Sequence, residues 1–119
     1  MLTRMDELGR IYDVAKLPYA DNYLKWINLI EKDKFVEICS FIDETIELQN
    51  KYSVATLFGG DWPEPLYSIY EAVGCDSVNA GLLLGRINLD RVIRSDTKWF
   101  SAKTKLKGRD LATAFYWKK

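Results

Sequence analysis

The chain has 119 residues, 48% hydrophobic and 13% aromatic, enough to bury one core and too apolar for a disordered chain. No run approaches the roughly 18–20 consecutive apolar residues of a membrane span, and Arg4, Asp6 and Glu7 stand where a signal peptide would be apolar, so a soluble cytoplasmic protein is expected. With no histidine and only Cys39 and Cys75, the usual zinc spacings cannot be assembled and no cofactor is implied.

The net charge of zero hides a division. Residues 1–85 carry 7 Lys plus Arg against 14 Asp plus Glu, a net of −7; residues 86–119 carry 10 against 3, a net of +7. Such asymmetry suits a basic surface that meets a polyanion while an acidic remainder limits nonspecific adhesion, although a head-to-tail contact between copies would use it too.

Residues 3–17 place Met5, Leu8, Tyr12 and Ala15 at helical spacing, and Pro18 is expected to end that helix. Asp21 or Asn22 can cap a short helix with Leu24, Ile27 and Ile30 inward. From Phe35 to about Tyr52, Phe35, Ile38, Cys39, Ile42 and Ile46 form one stripe, with Cys39 as a buried thiol; Asp43, Glu44 and Glu47 read as the solvated side. Residues 53–65 lose the period: Val54–Phe58 could be a short strand, Gly59 and Gly60 mark a turn, and Trp62 is expected to plug the core from a loop. No GxxxxGK[ST] string is present, so nucleotide hydrolysis has no support.

Pro65 opens a helix to about Val73, which Gly74 stops. Asp76 or Ser77 caps the next helix, 77–94, whose expected inward residues are Val78, Leu82, Leu89, Val92 and Ile93; Asn79, Arg86, Asp90 and Arg94 share the adjoining flank. Gly81 and Gly85 are expected to admit a closely packed neighbour. After Asp96 the period becomes two. Phe100, Ala102, Thr104 and Leu106, a Lys107-Gly108 turn, then Leu111, Thr113, Phe115 and Trp117 predict a hairpin with a basic tip. Phe100, Leu106, Phe115 and Trp117 are expected to anchor it on the helices, because an isolated hairpin is marginal in water.

Over residues 54–117, two helices joined by a sharp turn and followed by a basic hairpin resemble a winged helix-turn-helix. Leu84-Gly85-Arg86-Ile87, then Lys107-Gly108-Arg109 and Tyr116, are similar to winged-helix domains at the ends of some phage and plasmid replication proteins. The resemblance implies an α+β, mostly helical fold in which N-terminal helices pack on a C-terminal helix-turn-helix with a β-hairpin wing. Residues 1–119 would form a single domain, acidic and helical over 1–53 and winged-helix-like over 54–119. It further implies a non-enzymatic nucleic-acid-binding protein, a regulator or replication accessory, whose second helix meets the major groove of duplex DNA. Asn79, Arg86 and Arg94 would then address base edges, while Lys103, Lys105, Lys107 and Arg109 would hold phosphates and Lys98 would join the nucleic-acid-binding surface.

Two other classes compete. A small protein-protein interaction module or inhibitor, such as a phage would encode, would dock onto a larger complex through its acidic helices or its basic hairpin, the latter on an acidic protein surface, or would pair with its own copies. An enzyme has least support: Asp96-Thr97-Lys98 has the D-x-K form of some metal-dependent nucleases, but this short string also reads as a polar connection before a strand.

Overall fold

A five-stranded mixed sheet carries a layer of helices on one side, an α+β arrangement. The computed structural model describes residues 1–6, 8–17, 20–58, 62–102, 105–106, 109–110 and 115–119. Its strands are β1 (Leu2–Met5), β2 (Ile11–Val14), β3 (Lys51–Ser53), β4 (Trp99–Ala102), β5 (Lys105–Leu106), β6 (Arg109–Asp110) and β7 (Phe115–Lys118). Its helices are α1 (Ala20–Ile27), α2 (Lys32–Glu47), α3 (Val54–Phe58), α4 (Tyr67–Ala72) and α5 (Ser77–Arg94), with a 3-10 turn at Glu64–Leu66 before α4. The sheet order is β2-β1-β4-β7-β3, and β5 pairs with β6 separately. Pro18, Gly59, Gly60, Lys103, Thr104, the Lys107-Gly108 turn, Leu111 and Thr113 lie outside the described residues.

The N-terminal segment is a β-hairpin, which corrects the helix expected over residues 3–17. The Asp6 carboxylate accepts the backbone N–H groups of Leu8 and Arg10 at 2.9 Å each and pairs with Arg10 Nε at 2.7 Å. These bonds, the Arg10 backbone N–H foremost, hold its pKa below the ordinary value. Gly9 takes φ +78, a left-handed conformation that breaks a helix and suits a turn. The helical stripe was also illusory: Met5, Leu8 and Tyr12 are exposed. β1 instead adds in parallel to β4, Leu2 opposite Trp99, which buries Leu2 and completes the sheet.

Helix α2 ends at Glu47, and β3 occupies the stretch expected to continue it. Val54–Phe58 is the helix α3, not a strand. Ser53 Oγ accepts from Thr56 N at 3.2 Å, a local side-chain bond of the kind that starts a helix at that point. In α1, Tyr23 is buried and Leu24 exposed, so the inward stripe is rotated from the Leu24 register. Trp62 is half-buried beside the core, 4.3 Å from the Tyr70 ring.

Helix α5 keeps its expected limits. Asp76 caps it, its carboxylate accepting from Val78 N at 2.9 Å and Asn79 N at 3.1 Å. Its buried side is Ala80, Leu83, Leu84, Ile87, Asn88, Leu89 and Val92. Val78 and Leu82, expected inward, are 71% and 51% exposed. The first half of α5 is apolar nearly all round, so no single stripe stands out there. Nothing lies within 4 Å of a Cβ placed on Gly81 or Gly85, so the close neighbour expected at these glycines is absent among the described residues.

Strands β4 and β7 are an antiparallel pair, as the period-two pattern indicates, but they sit in the middle of the sheet and not in a lone hairpin. Their core side is opposite to the expected one. Trp99, Ser101 and Tyr116 are buried against α5, while Phe100, Phe115 and Trp117 are half-buried on the outer side. Tyr52 from β3 stacks on Tyr116 at 5.2 Å, meets Trp99 edge-on at 5.6 Å and donates its hydroxyl to Asn88 Oδ1 at 3.0 Å. Leu106, the fourth expected anchor, has a strand position, but the surroundings of its side chain are not among those described.

Candidate nucleic-acid interface

The basic third begins in the last turns of α5, where Arg91 and Arg94 also complement the negative end of the helix dipole. Both are paired. Arg91 makes a two-pronged contact with Asp43 of α2, Nε to Oδ1 at 2.8 Å and Nη2 to Oδ2 at 2.7 Å. These hydrogen bonds hold the Arg91 guanidinium above its ordinary pKa. Arg94 Nε donates to Asp90 Oδ1 at 3.0 Å one turn back. Lys118 Nζ donates to the Glu47 carbonyl at 2.6 Å and lies 3.9 Å from its carboxylate. The Thr97 hydroxyl donates to the same carboxylate at 2.9 Å.

The acidic side of α2 is therefore not simply solvated. Asp43 and Glu47 dock onto the start of the basic third within the chain, and they line a polar cleft of about 240 Å³ with Arg91, Arg94 and Asp96. Part of the positive charge legible in residues 86–119, that of Arg91, Arg94 and Lys118, is thus matched internally. Cys39, on the same helix, is buried, and that burial raises its thiol pKa.

The expected site residues are not gathered at one place. Asn79 is half-buried near the start of α5, and Arg94 is exposed at its end; the 15 intervening steps span roughly 22 Å at 1.5 Å each. Between them α1 covers the flank: the Tyr23 hydroxyl donates to Asp90 Oδ2 at 3.2 Å, and the Arg86 guanidinium lies 5.0 Å from the Trp26 ring centroid. Burial, with Asp90 alongside, raises the Tyr23 pKa. Lys98 is exposed just before β4 and near Arg94 in the chain. Lys105 and Arg109 occupy the paired β5 and β6, Leu106 opposite Arg109; Lys103 and Lys107 lie outside the described residues.

A second surface was not singled out from the sequence. On the outer side of the sheet, Phe100 stands opposite Trp117 with ring centroids 4.8 Å apart, and Lys51 is the partner of Trp117 on the next strand. The signal was present in Trp99-Phe100 and Tyr116-Trp117, where aromatics occupy both parities of each strand.

Among the described residues, no cluster of three or more Cys, Asp or Glu side chains could hold a metal ion, and no helix is long and apolar enough to cross a membrane. Asp96 and Lys98 of the D-x-K string are both exposed. No family model, curated protein or solved structure matches the chain.

Proposed function

We propose that the protein is a non-enzymatic nucleic-acid-binding protein of winged-helix type, a regulator or replication accessory that grips duplex phosphates through its basic hairpin. The observation that carries this reading is the order of elements from α2 onward. Helix α2 and strand β3 are followed by the short helix α3, helices α4 and α5, and then β4, the β5–β6 pair and β7, with β7 between β4 and β3 in the sheet. In that order the segment between β4 and β7, which contains Lys103, Lys105, Lys107 and Arg109, takes the place of a wing.

Within this reading Arg94 at the end of α5 and Lys98 just before β4, both exposed, join the hairpin in holding phosphates. Arg86 reaches a base edge only by leaving the Trp26 ring, so sequence reading through it requires a side-chain or α1 movement. Titration of labelled duplex DNA at about 50 mM salt, where phosphate contacts are strong, should show binding that falls steeply as salt is raised. Lys105→Ala and Lys107→Ala should each weaken it equally on all sequences and reduce the salt slope by about 1. Absence of binding to duplex or single strands would remove the proposal.

A second reading, a protein-protein interaction module, is favoured by one feature. The side of α5 formed by Val78, Gly81, Leu82 and Gly85 is open and apolar. A pull-down with Leu82→Lys as the negative control would separate it from the first.

A further inference from the structure

The sheet's two sides divide its aromatic residues. Cross-strand partners share a side, so Phe100, Phe115 and Trp117 stand with Lys51 and Thr3 away from the helices. Among the described residues, none of the three aromatics belongs to the core cluster or packs against it. From β2 the register brings Asp13 to this side, where its carboxylate accepts the Thr3 hydroxyl at 3.0 Å. The Lys119 ammonium donates to the same Thr3 oxygen at 2.6 Å, so it lies over this side as well, and Lys51 is exposed at its β3 edge.

We infer that this outer side binds single-stranded nucleic acid, with bases stacked on Phe100 and Trp117 and the backbone held by Lys51 and Lys119. The inference rests on the nucleic-acid reading above and adds a ligand class and a surface separate from α5. A duplex keeps its base faces inside the stack, so only an unpaired strand can lay them on aromatic rings. A sheet holds neighbouring aromatics on one side at fixed spacing with little ordering cost, and ammonium groups at its rim supply the charge that tracks a backbone. Here the two rings are tilted 50° to each other, so that each offers its own face to a base. An uncharged apolar partner would gain nothing from Lys51 and Lys119, whereas a polyanion uses both.

The test is fluorescence anisotropy with labelled oligothymidylate and, in parallel, a labelled duplex. Phe100→Leu keeps an apolar side chain but removes the ring face, and it should weaken oligothymidylate binding by about five- to 150-fold, the equivalent of one lost stacked base. Its duplex binding should stay within about twofold, since the duplex is assigned to other residues. Lys51→Ala, at an exposed position, should lower the single-strand salt slope by about 0.7 and leave folding intact, so it decides the matter even if Phe100→Leu is unstable. Circular dichroism checks folding of both. Duplex binding with no affinity for oligothymidylate would overturn this inference and spare the nucleic-acid reading; binding to neither would remove both. Unchanged oligothymidylate affinity and salt slope in the two variants would overturn it too, because the strand would then lie elsewhere.

Discussion

Strands β4 and β7 show two surfaces built from one stretch of chain. Toward the helices they offer Trp99, Ser101 and Tyr116, joined by Tyr52 and Asn88 in a packed cluster of rings and hydrogen bonds. Away from them they offer Phe100, Phe115 and Trp117, with Lys51 alongside and no contact to the core cluster among the described residues. Aromatic content alone does not make a core. What separates the two sides is whether another layer removes them from water, and the inner side alone has α5 above it.

The largest expected effect tests the inner side. Trp99 has 0% exposure and touches strands on both flanks, so Trp99→Ala should destabilise the protein by roughly 3–5 kcal/mol, the usual result of emptying a buried aromatic site. Urea unfolding measures it. A loss under about 1 kcal/mol, the range of ordinary surface substitutions, would mean that the two sides have been assigned the wrong way round.

An intermediate effect is expected at Tyr52. Asn88 is buried, its Nδ2 finds no partner among the described residues, and its Oδ1 takes the Tyr52 hydroxyl. Tyr52→Phe therefore leaves both ends of the amide unmatched and should cost on the order of 1–3 kcal/mol. Burial raises the pKa of Tyr52 and of Tyr116 above the ordinary value of about 10. Below pH 10 both folded and unfolded chains keep these protons, and the stability is fully present. Above it the unfolded chain releases them first, so stability should fall as pH rises, and more gently in Tyr52→Phe. A flat unfolding midpoint between about pH 9 and 11, the range that spans free tyrosine, would contradict the buried pair.

Much of the fold was legible where one physical signal dominated. The period of α2, the Asp76 cap of α5 and the alternation of β4 and β7 each survive in the structure. The sequence misled where a local pattern competed with a distant partner. Leu2–Met5 becomes a strand because β4 offers a free edge 97 residues away, and no nearby residue records that. The core side of β4 and β7 was illegible for a simpler reason: with aromatics at both parities, a one-residue shift exchanges one apolar set for another. The candidate site was legible as charge and not as geometry. Residues 86–119 announced a basic surface, but the docking of Asp43 on Arg91 and of α1 on Arg86 depends on helix packing angles that composition does not encode.

The smallest effect sharpens the comparison most. Phe115 was expected to anchor the hairpin on the core, where its truncation would cost as much as that of Trp99. In the structure it stands half-buried on the outer side of β7 opposite Ala102. Phe115→Ala then forfeits only part of its apolar burial and one cross-strand contact, for which about 1 kcal/mol is the appropriate scale. The variant should remain folded, with a urea midpoint close to that of the parent, and it should bind oligothymidylate more weakly if its ring extends the platform of Phe100 and Trp117. A loss comparable to that of Trp99→Ala would show that a layer of protein covers the outer side, and a covered side has no room for a strand of bases.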